Sequence, residues 1–140
     1  MEAQKHRIVI VDDNQGFIDA IKILFRNRTD IDVVGEATDG FKFLEIIEQA
    51  KPDVVLMDIN LPTMDGLTTT EKALQQNGDL KIIGVTMSDE FIVHFNMLKT
   101  GFKAGILKNN FSSDFDIALQ IINNGEVFFP ILKKTAQQTL

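Results

Sequence analysis

The 140-residue chain has no cysteine, tryptophan or tyrosine, and only three prolines and two histidines. Without cysteine it can form no disulfide, offer no thiol nucleophile and bind no metal through sulfur, which leaves hard, oxygen-loving cations open to it. The histidines support neither a metal triad nor a nucleophile: His6 precedes the first strand and His94 falls in mid-helix, both expected at the surface. No apolar run approaches the ~18 residues that span a bilayer. Met1 to Arg7 leads into only a short apolar run, so a soluble cytoplasmic protein is expected, with no membrane partner. Clustered lysine and arginine are also missing, and with a net charge of −6 these residues do not by themselves make a nucleic-acid surface. Two glycosylation-like triplets, Asn27-Arg28-Thr29 and Asn110-Phe111-Ser112, stand without a secretory signal and read as chance.

What is present suffices for one continuous core, since 44% of the residues are hydrophobic. Five short apolar runs read as strands: Arg7 to Val11, Asp32 to Ala37, Asp53 to Asp58, Lys81 to Thr86 and Ala104 to Lys108. Between them apolar residues recur at helical spacing. Phe17, Ile21, Leu24 and Phe25 follow a cap at Asp13 or Asn14. Phe43, Leu44, Ile47 and Ala50 follow Asp39 and are closed by Pro52, and Leu67, Thr70 and Leu74 stop near Gly78. Phe91, Phe95 and Leu98 follow Ser88, and Phe115, Ala118, Leu119 and Ile122 follow a cap at Ser112 or Ser113. The spacing assigns Phe91 and Phe95 to the core, with exposed partner-binding positions as the alternative. Strand and helix alternating in this way predict the α/β class, a doubly wound five-stranded parallel sheet with helices on both faces.

In such a sheet Asp12, Asp13, Asp58, Thr86 and Lys108 all fall at the carboxyl ends of strands, where ligands collect. Taken alone, Asp12 and Asp13 read as caps of the first helix; with Asp58 opposite them, three carboxylates would repel one another unless a cation sat between them. Magnesium suits an all-oxygen site that keeps several waters. Phosphoryl transfer needs an oxygen nucleophile, a metal and preorganised donors around the moving group. The expected roles are Asp58 as phosphoryl acceptor, Asp12 and Asp13 as metal holders with Asp58 and the Asn60 backbone carbonyl, Lys108 as the cation on the phosphoryl oxygens, and Thr86 as a hydroxyl donor.

This set resembles the receiver domain of two-component response regulators over residues 7 to 124. The residues that carry the resemblance are the Asp12-Asp13 pair, Asp58 followed by Pro62 and Gly66 in the family's x-x-x-Pro-x-x-x-Gly spacing, then Thr86 and Lys108. The resemblance implies a CheY-like sheet in the order 2-1-3-4-5 and transfer of phosphate to Asp58 from a histidine kinase or phosphotransfer protein. Magnesium would assist, and the aspartyl phosphate would eventually be hydrolysed. It implies a signalling domain that assists its own phosphorylation and dephosphorylation rather than an enzyme.

Two departures from the family pattern stand out. Gly105 occupies the usual aromatic switch position, and Asn109 follows Lys108 where many receivers have proline, which weakens the expectation of a cis bond there. Even so, phosphorylation is expected to perturb Thr86 to Leu98. Asn60 and Ser88 can tune the lifetime of the phosphoryl group by positioning water, and Met87 can crowd small phosphodonors. The plainer alternatives are Ser88 as a helix cap and Met87 as partly buried filler. Residues 1–124 are expected to form the receiver, and residues 125–140 a linker or extra helix beginning near Pro130. The Gly125, Phe128, Phe129 and Pro130 pattern is similar to the lead into a LuxR/NarL-type helix-turn-helix output, through which alone DNA would be bound. Homodimerisation is left open, and the alternative is a stand-alone receiver that docks onto a partner. Three rivals stand on the residues: an aspartyl phosphatase would need an acid at Asn60, a flavodoxin-like nucleotide binder would need a phosphate-cradling loop at Asp12 to Asn14, and a degenerate receiver would not keep the acids.

Overall fold

Each apolar run folds as a strand: β1 (His6–Val11), β2 (Ile31–Ala37), β3 (Val54–Asp58), β4 (Lys81–Thr86) and β5 (Ala104–Leu107). The computed structural model describes residues 5–138, with side chains described as far as Lys134; Met1–Gln4, the start of the expected receiver, and Thr139–Leu140, the end of the expected linker or extra helix, lie outside the described residues. Intervening helices are α1 (Gln15–Phe25), α2 (Gly40–Ala50), α3 (Gly66–Gln76), α4 (Phe91–Thr100), α5 (Phe111–Asn123) and α6 (Pro130–Gln138). The strands pair in parallel in the order β2-β1-β3-β4-β5, as expected. No described helix is long and apolar enough to cross a membrane.

Because side chains alternate across a strand, the sheet divides its apolar residues between two cores. Ile8, Ile10, Leu56, Ile83, Val85 and Ile106 pack with α1 and α5 through Ile18, Phe25, Phe111 and Phe115. On the opposite face Val9, Val11, Val55, Met57 and Ile82 meet Phe43, Ala73 and Met97 from α2, α3 and α4. Val54 through Asp58 is buried at every position, as a central strand covered on both faces must be.

Local chemistry sets the helix starts. The side chains of Asn14, Asp39 and Asp65 accept hydrogen bonds from the amides of Phe17, Lys42 and Thr68, which caps α1, α2 and α3. The last helix of the sheet unit departs from expectation. Its cap position is Asn110, because a 3-10 turn over Lys108–Asn110 runs straight into α5; Ser112 and Ser113 lie inside the helix, and Ser113 Oγ donates to the Asn110 carbonyl at 3.0 Å. Ser88 does not cap α4 either. The residue at the cap is Glu90, whose amide donates to Ser88 Oγ at 3.2 Å.

The phase of α4 is also corrected. Phe91, Phe95 and Leu98 are 42%, 37% and 36% exposed, while His94 and Met97 are fully buried. Two glycines paired across β4 and β5, Gly84 and Gly105, explain the rotation. A Cβ at Gly84 would collide with Met97 Sδ, and one at Gly105 would lie 2.9 Å from Met97 Cε and 3.0 Å from His94 Nδ1. The missing side chains leave a hollow in the sheet surface, and Met97 and His94 drop into it. Phe91 and Phe95 stack on each other outside with centroids 5.8 Å apart. His94 is thus a core residue and not a surface one, whereas His6 is only partly exposed at the start of β1.

Beyond α5 the chain returns to the sheet. Phe128 bridges Ala104 in parallel, the Gly105 amide donates to the Phe128 carbonyl at 3.0 Å, and the Phe128 amide donates to the Lys103 carbonyl at 2.9 Å. Phe129 enters the core beside Met97 and Phe102, and Pro130 opens α6.

Candidate functional site

The register of the central strands brings the expected residues to one edge. Val11 pairs with Met57, Asp58 with Val85, and Thr86 with Leu107, so Asp12, Asp58, Thr86 and Lys108 end or follow adjoining strands at the same level. Asp12 and Asp58 are 1% and 4% exposed, whereas Asp13 is exposed. One oxygen from each of the three carboxylates falls within 4.8 Å of the others. Lys108 Nζ lies 2.8 Å from Asp12 Oδ2 and 3.7 Å from Asp58 Oδ2. Its ammonium also sits 4.7 Å from the centroid of the Phe17 ring, a cation–π contact that helps hold the stem in place.

Backbone amides orient the acids. The Asn14 amide donates to Asp12 Oδ1 at 2.9 Å and the Asn60 amide donates to Asp58 Oδ1 at 3.2 Å, so one oxygen of each carboxylate is fixed while the other faces Lys108. The loop after Asp58 is tight. Thr63 has φ +63°, unusual for a β-branched residue, inside a three-residue turn closed by the Met64 amide on the Pro62 carbonyl at 2.6 Å. The chain then folds back so closely that a Cβ on Gly66 would collide with the Asp58 carbonyl oxygen. Glycine at this position is a packing requirement of the end of β3.

Electrostatics follow from this geometry. Burial, then the neighbouring Asp12 charge, push the Asp58 carboxyl from 3.8 up to about 6, with Lys108 pulling the other way. Three carboxylates served by one ammonium leave an excess of negative charge at this edge, with Asp12 and Asp58 buried. The donors are all oxygen, with no sulfur or imidazole among them, which fits a hard divalent cation and not a soft one.

Thr86 is fully buried, and its Oγ1 accepts from the Ser88 amide at 3.1 Å. Ser88 is half-buried beside it, Asn60 is exposed at the rim, and Met87 is 62% exposed, which removes its role as partly buried filler. Gly105 lies two strands away from Asp58, on β5 beyond β4, with no side chain to offer the site. Two residues escaped the sequence analysis. Phe17 was assigned only to a helix face, and nothing in its spacing signals that Lys108 lies over it. His94 had a usable signal, the glycines at Gly84 and Gly105 in consecutive strands, which open room for a side chain from the helix between them.

The family model for the response regulator receiver domain matches residues 8–120. The chain is 41% identical over 103 residues to the uncharacterized transcriptional regulatory protein YhcZ of Bacillus subtilis, a match covering 74% of this chain and 48% of that protein. It is 31% identical over 124 residues to the transcriptional regulatory protein DegU of Brevibacillus brevis, covering 89% of this chain and 52% of that one. The chain therefore spans about half the length of these curated relatives. Its fold matches that of a LuxR-family two-component response regulator from Aurantimonas sp. SI85-9A1 with a TM-score of 0.88 at 24% identity, covering 97% of this chain and 99% of that one. With the family match running from β1 into α5, the chain belongs to the response regulator receiver domain family.

Proposed function

We propose that Asp58 accepts a phosphoryl group from a phosphorylated histidine on a sensor kinase or phosphotransfer protein. The observation that carries this reading is the buried Asp58 carboxylate, one oxygen held by the Asn60 amide and the other 3.7 Å from Lys108. That oxygen attacks phosphorus in line, the O–P bond forms as the P–N bond breaks, and the electron pair returns to the departing imidazole nitrogen. Hydrolysis unloads the site: water attacks phosphorus, the bond between phosphorus and the Asp58 oxygen breaks with its electron pair returning to the carboxylate, and the water's oxygen and protons leave with inorganic phosphate. Asp12, Asp13, Asp58 and the Asn60 carbonyl would hold magnesium, which supplies positive charge against the phosphoryl oxygens.

The chain's own groups do the rest. Lys108 neutralises the charge that arrives with the phosphoryl group, and the Thr86 hydroxyl donates to one of its oxygens. Asn60 and Ser88 flank the path of the hydrolytic water and set the lifetime. The domain is a signalling element that assists its own phosphorylation and dephosphorylation; it is not a turnover enzyme. It works in the cytoplasm, with residues 1–124 as the phosphoacceptor unit and residues 125–140 leading toward an output segment. The regulatory names of YhcZ and DegU favour a transcriptional output, with DNA bound outside these residues. Incubation with magnesium and acetyl phosphate, followed by intact-mass measurement, tests the reading. One added phosphoryl group is expected, lost in Asp58→Asn; equal loading of that variant would sink the assignment.

A further inference from the structure

The hollow left by Gly84 and Gly105 holds a residue that the phosphoryl chemistry does not use. His94 is fully buried on α4, and its Nε2 lies 2.8 Å from the Ser88 carbonyl oxygen. A carbonyl only accepts, so Nε2 carries the proton and donates. Nδ1 is then the bare nitrogen, and no hydrogen-bond partner pairs with it among the described residues. Burial also holds the ring below the usual histidine range, so it is neutral near pH 7.

Both ends of this histidine have a destination. On one side, the Ser88 whose carbonyl it grips donates its amide to Thr86 Oγ1 at 3.1 Å, and Thr86 ends the strand beside Asp58. On the other side, the ring packs over Gly105, where a Cβ would be 3.0 Å from both His94 Nδ1 and Phe129 Cδ1. The Gly105 amide is bonded to Phe128, and Phe129 precedes α6 directly. Contacts are therefore continuous from the site through Thr86, Ser88, His94 and Gly105 to the C-terminal helix.

We propose that His94 is a positioning residue that couples the Thr86 loop to the C-terminal tail, taking over a place that an aromatic on β5 cannot fill while Gly105 stands there. The inference rests on Asp58 being the phosphoryl acceptor. A phosphoryl group on Asp58 presents new acceptor oxygens to the Thr86 hydroxyl. When Thr86 turns to donate to them, its bond with the Ser88 amide is disturbed, and the Ser88 carbonyl carries the displacement to the His94 ring. The ring has no other hydrogen bond among the described residues to hold it, and it shares the hollow over Gly105 with Phe129. A chain of contacts is only a candidate route, so the test must show that His94 carries the response and is not merely on the way.

The experiment compares amide and histidine-ring nitrogen spectra of the whole chain before and after magnesium with beryllofluoride, for wild type, His94→Leu and His94→Gln. In wild type, shifts are expected at Asp58, Thr86 and Ser88, at the His94 ring nitrogens, and at Phe128 and Phe129. In His94→Leu the shifts at Asp58 and Thr86 stay, while those at Phe128 and Phe129 fall to less than about half. His94→Gln, which keeps a donor near the Nε2 position, restores them. Should His94→Leu fail to fold, the wild-type ring nitrogens and the glutamine variant still decide. Tail shifts that persist in full in His94→Leu, or that appear in wild type with the His94 ring unchanged, overturn the coupling and leave the acceptor intact. Absence of any shift at Asp58 and Thr86 removes the acceptor reading and the coupling with it.

Discussion

Lys108 is bound to Asp12 more closely than to Asp58, at 2.8 Å against 3.7 Å. The ammonium thus occupies the same negative edge that a divalent cation would take, and the two positive charges compete for Asp12. Lys108→Ala is expected to tighten magnesium binding about 3- to 10-fold while slowing phosphorylation from acetyl phosphate by about 10- to 100-fold. Calorimetric titration and a loading time course check the two halves. Weaker magnesium binding in the variant would contradict the competition.

Asp58 predicts a pH dependence of stability in the absence of divalent cations. Its folded value, about 6, lies above the ordinary 3.8, so the stability it lends is fully present below the ordinary value and is lost as pH rises through about 6. At neutral pH the charged form is the costly one. Asp58→Asn is therefore expected to be more stable than wild type by about 1–2 kcal/mol at pH 7 without magnesium. The gain should vanish as pH falls toward the ordinary carboxylate range. Urea unfolding at several pH values measures it.

His94 acts with the opposite sign. Burial depresses its folded value, opposed by the Ser88 carbonyl and by Asp89, so its contribution is complete above about 6.5 and is lost as pH falls through the folded value. The stability advantage of wild type over His94→Gln should narrow between about pH 7.5 and about pH 5.5. Parallel unfolding curves for the two proteins across that range would contradict this.

Two loop positions give opposite outcomes. Gly66→Ala forces a methyl group against the Asp58 carbonyl and is expected to cost about 1–3 kcal/mol, with phosphorylation impaired. Thr63→Asn relieves a left-handed backbone at a β-branched residue and should gain about 0.5–1 kcal/mol without slowing phosphorylation. Thermal melts with a loading assay separate the two.

How much was visible in the sequence depended on whether a residue's environment was local. Asp12, Asp58, Thr86 and Lys108 each end or follow an apolar run, and parallel pairing with short connections leaves strand ends at one edge, so their convergence could be read from order alone. The cap at Asn14 was legible for the same reason, because a cap acts within four residues, whereas the caps at Asp39 and Asp65 emerge only from the structure. The face of α4 was not. Its apolar residues surround the helix, and which of them turn inward was decided by glycines on β4 and β5 that lie far from it in sequence. The caps expected at Ser112 or Ser113 failed because the 3-10 turn after Lys108 starts the helix early. Phe17 beneath Lys108 arises from packing between the first helix and the last strand end, which spacing does not encode.

The Phe128 pairing on β5 has a bearing on solubility. A parallel sheet this apolar has two borders where unpaired backbone can template a foreign strand. On β2 the strand is irregular, with a register shift opposite Ile8 and Val9, and it carries a charged side chain, Glu36, ion-paired with Lys22 of α1. On β5 the protection comes from the chain's own tail, which satisfies the Gly105 amide and the Lys103 carbonyl. A version cut before Phe128 would keep every residue of the acid site and yet expose a bare border, so its expected failing is aggregation during expression, with the chemistry intact in whatever fraction stays dispersed.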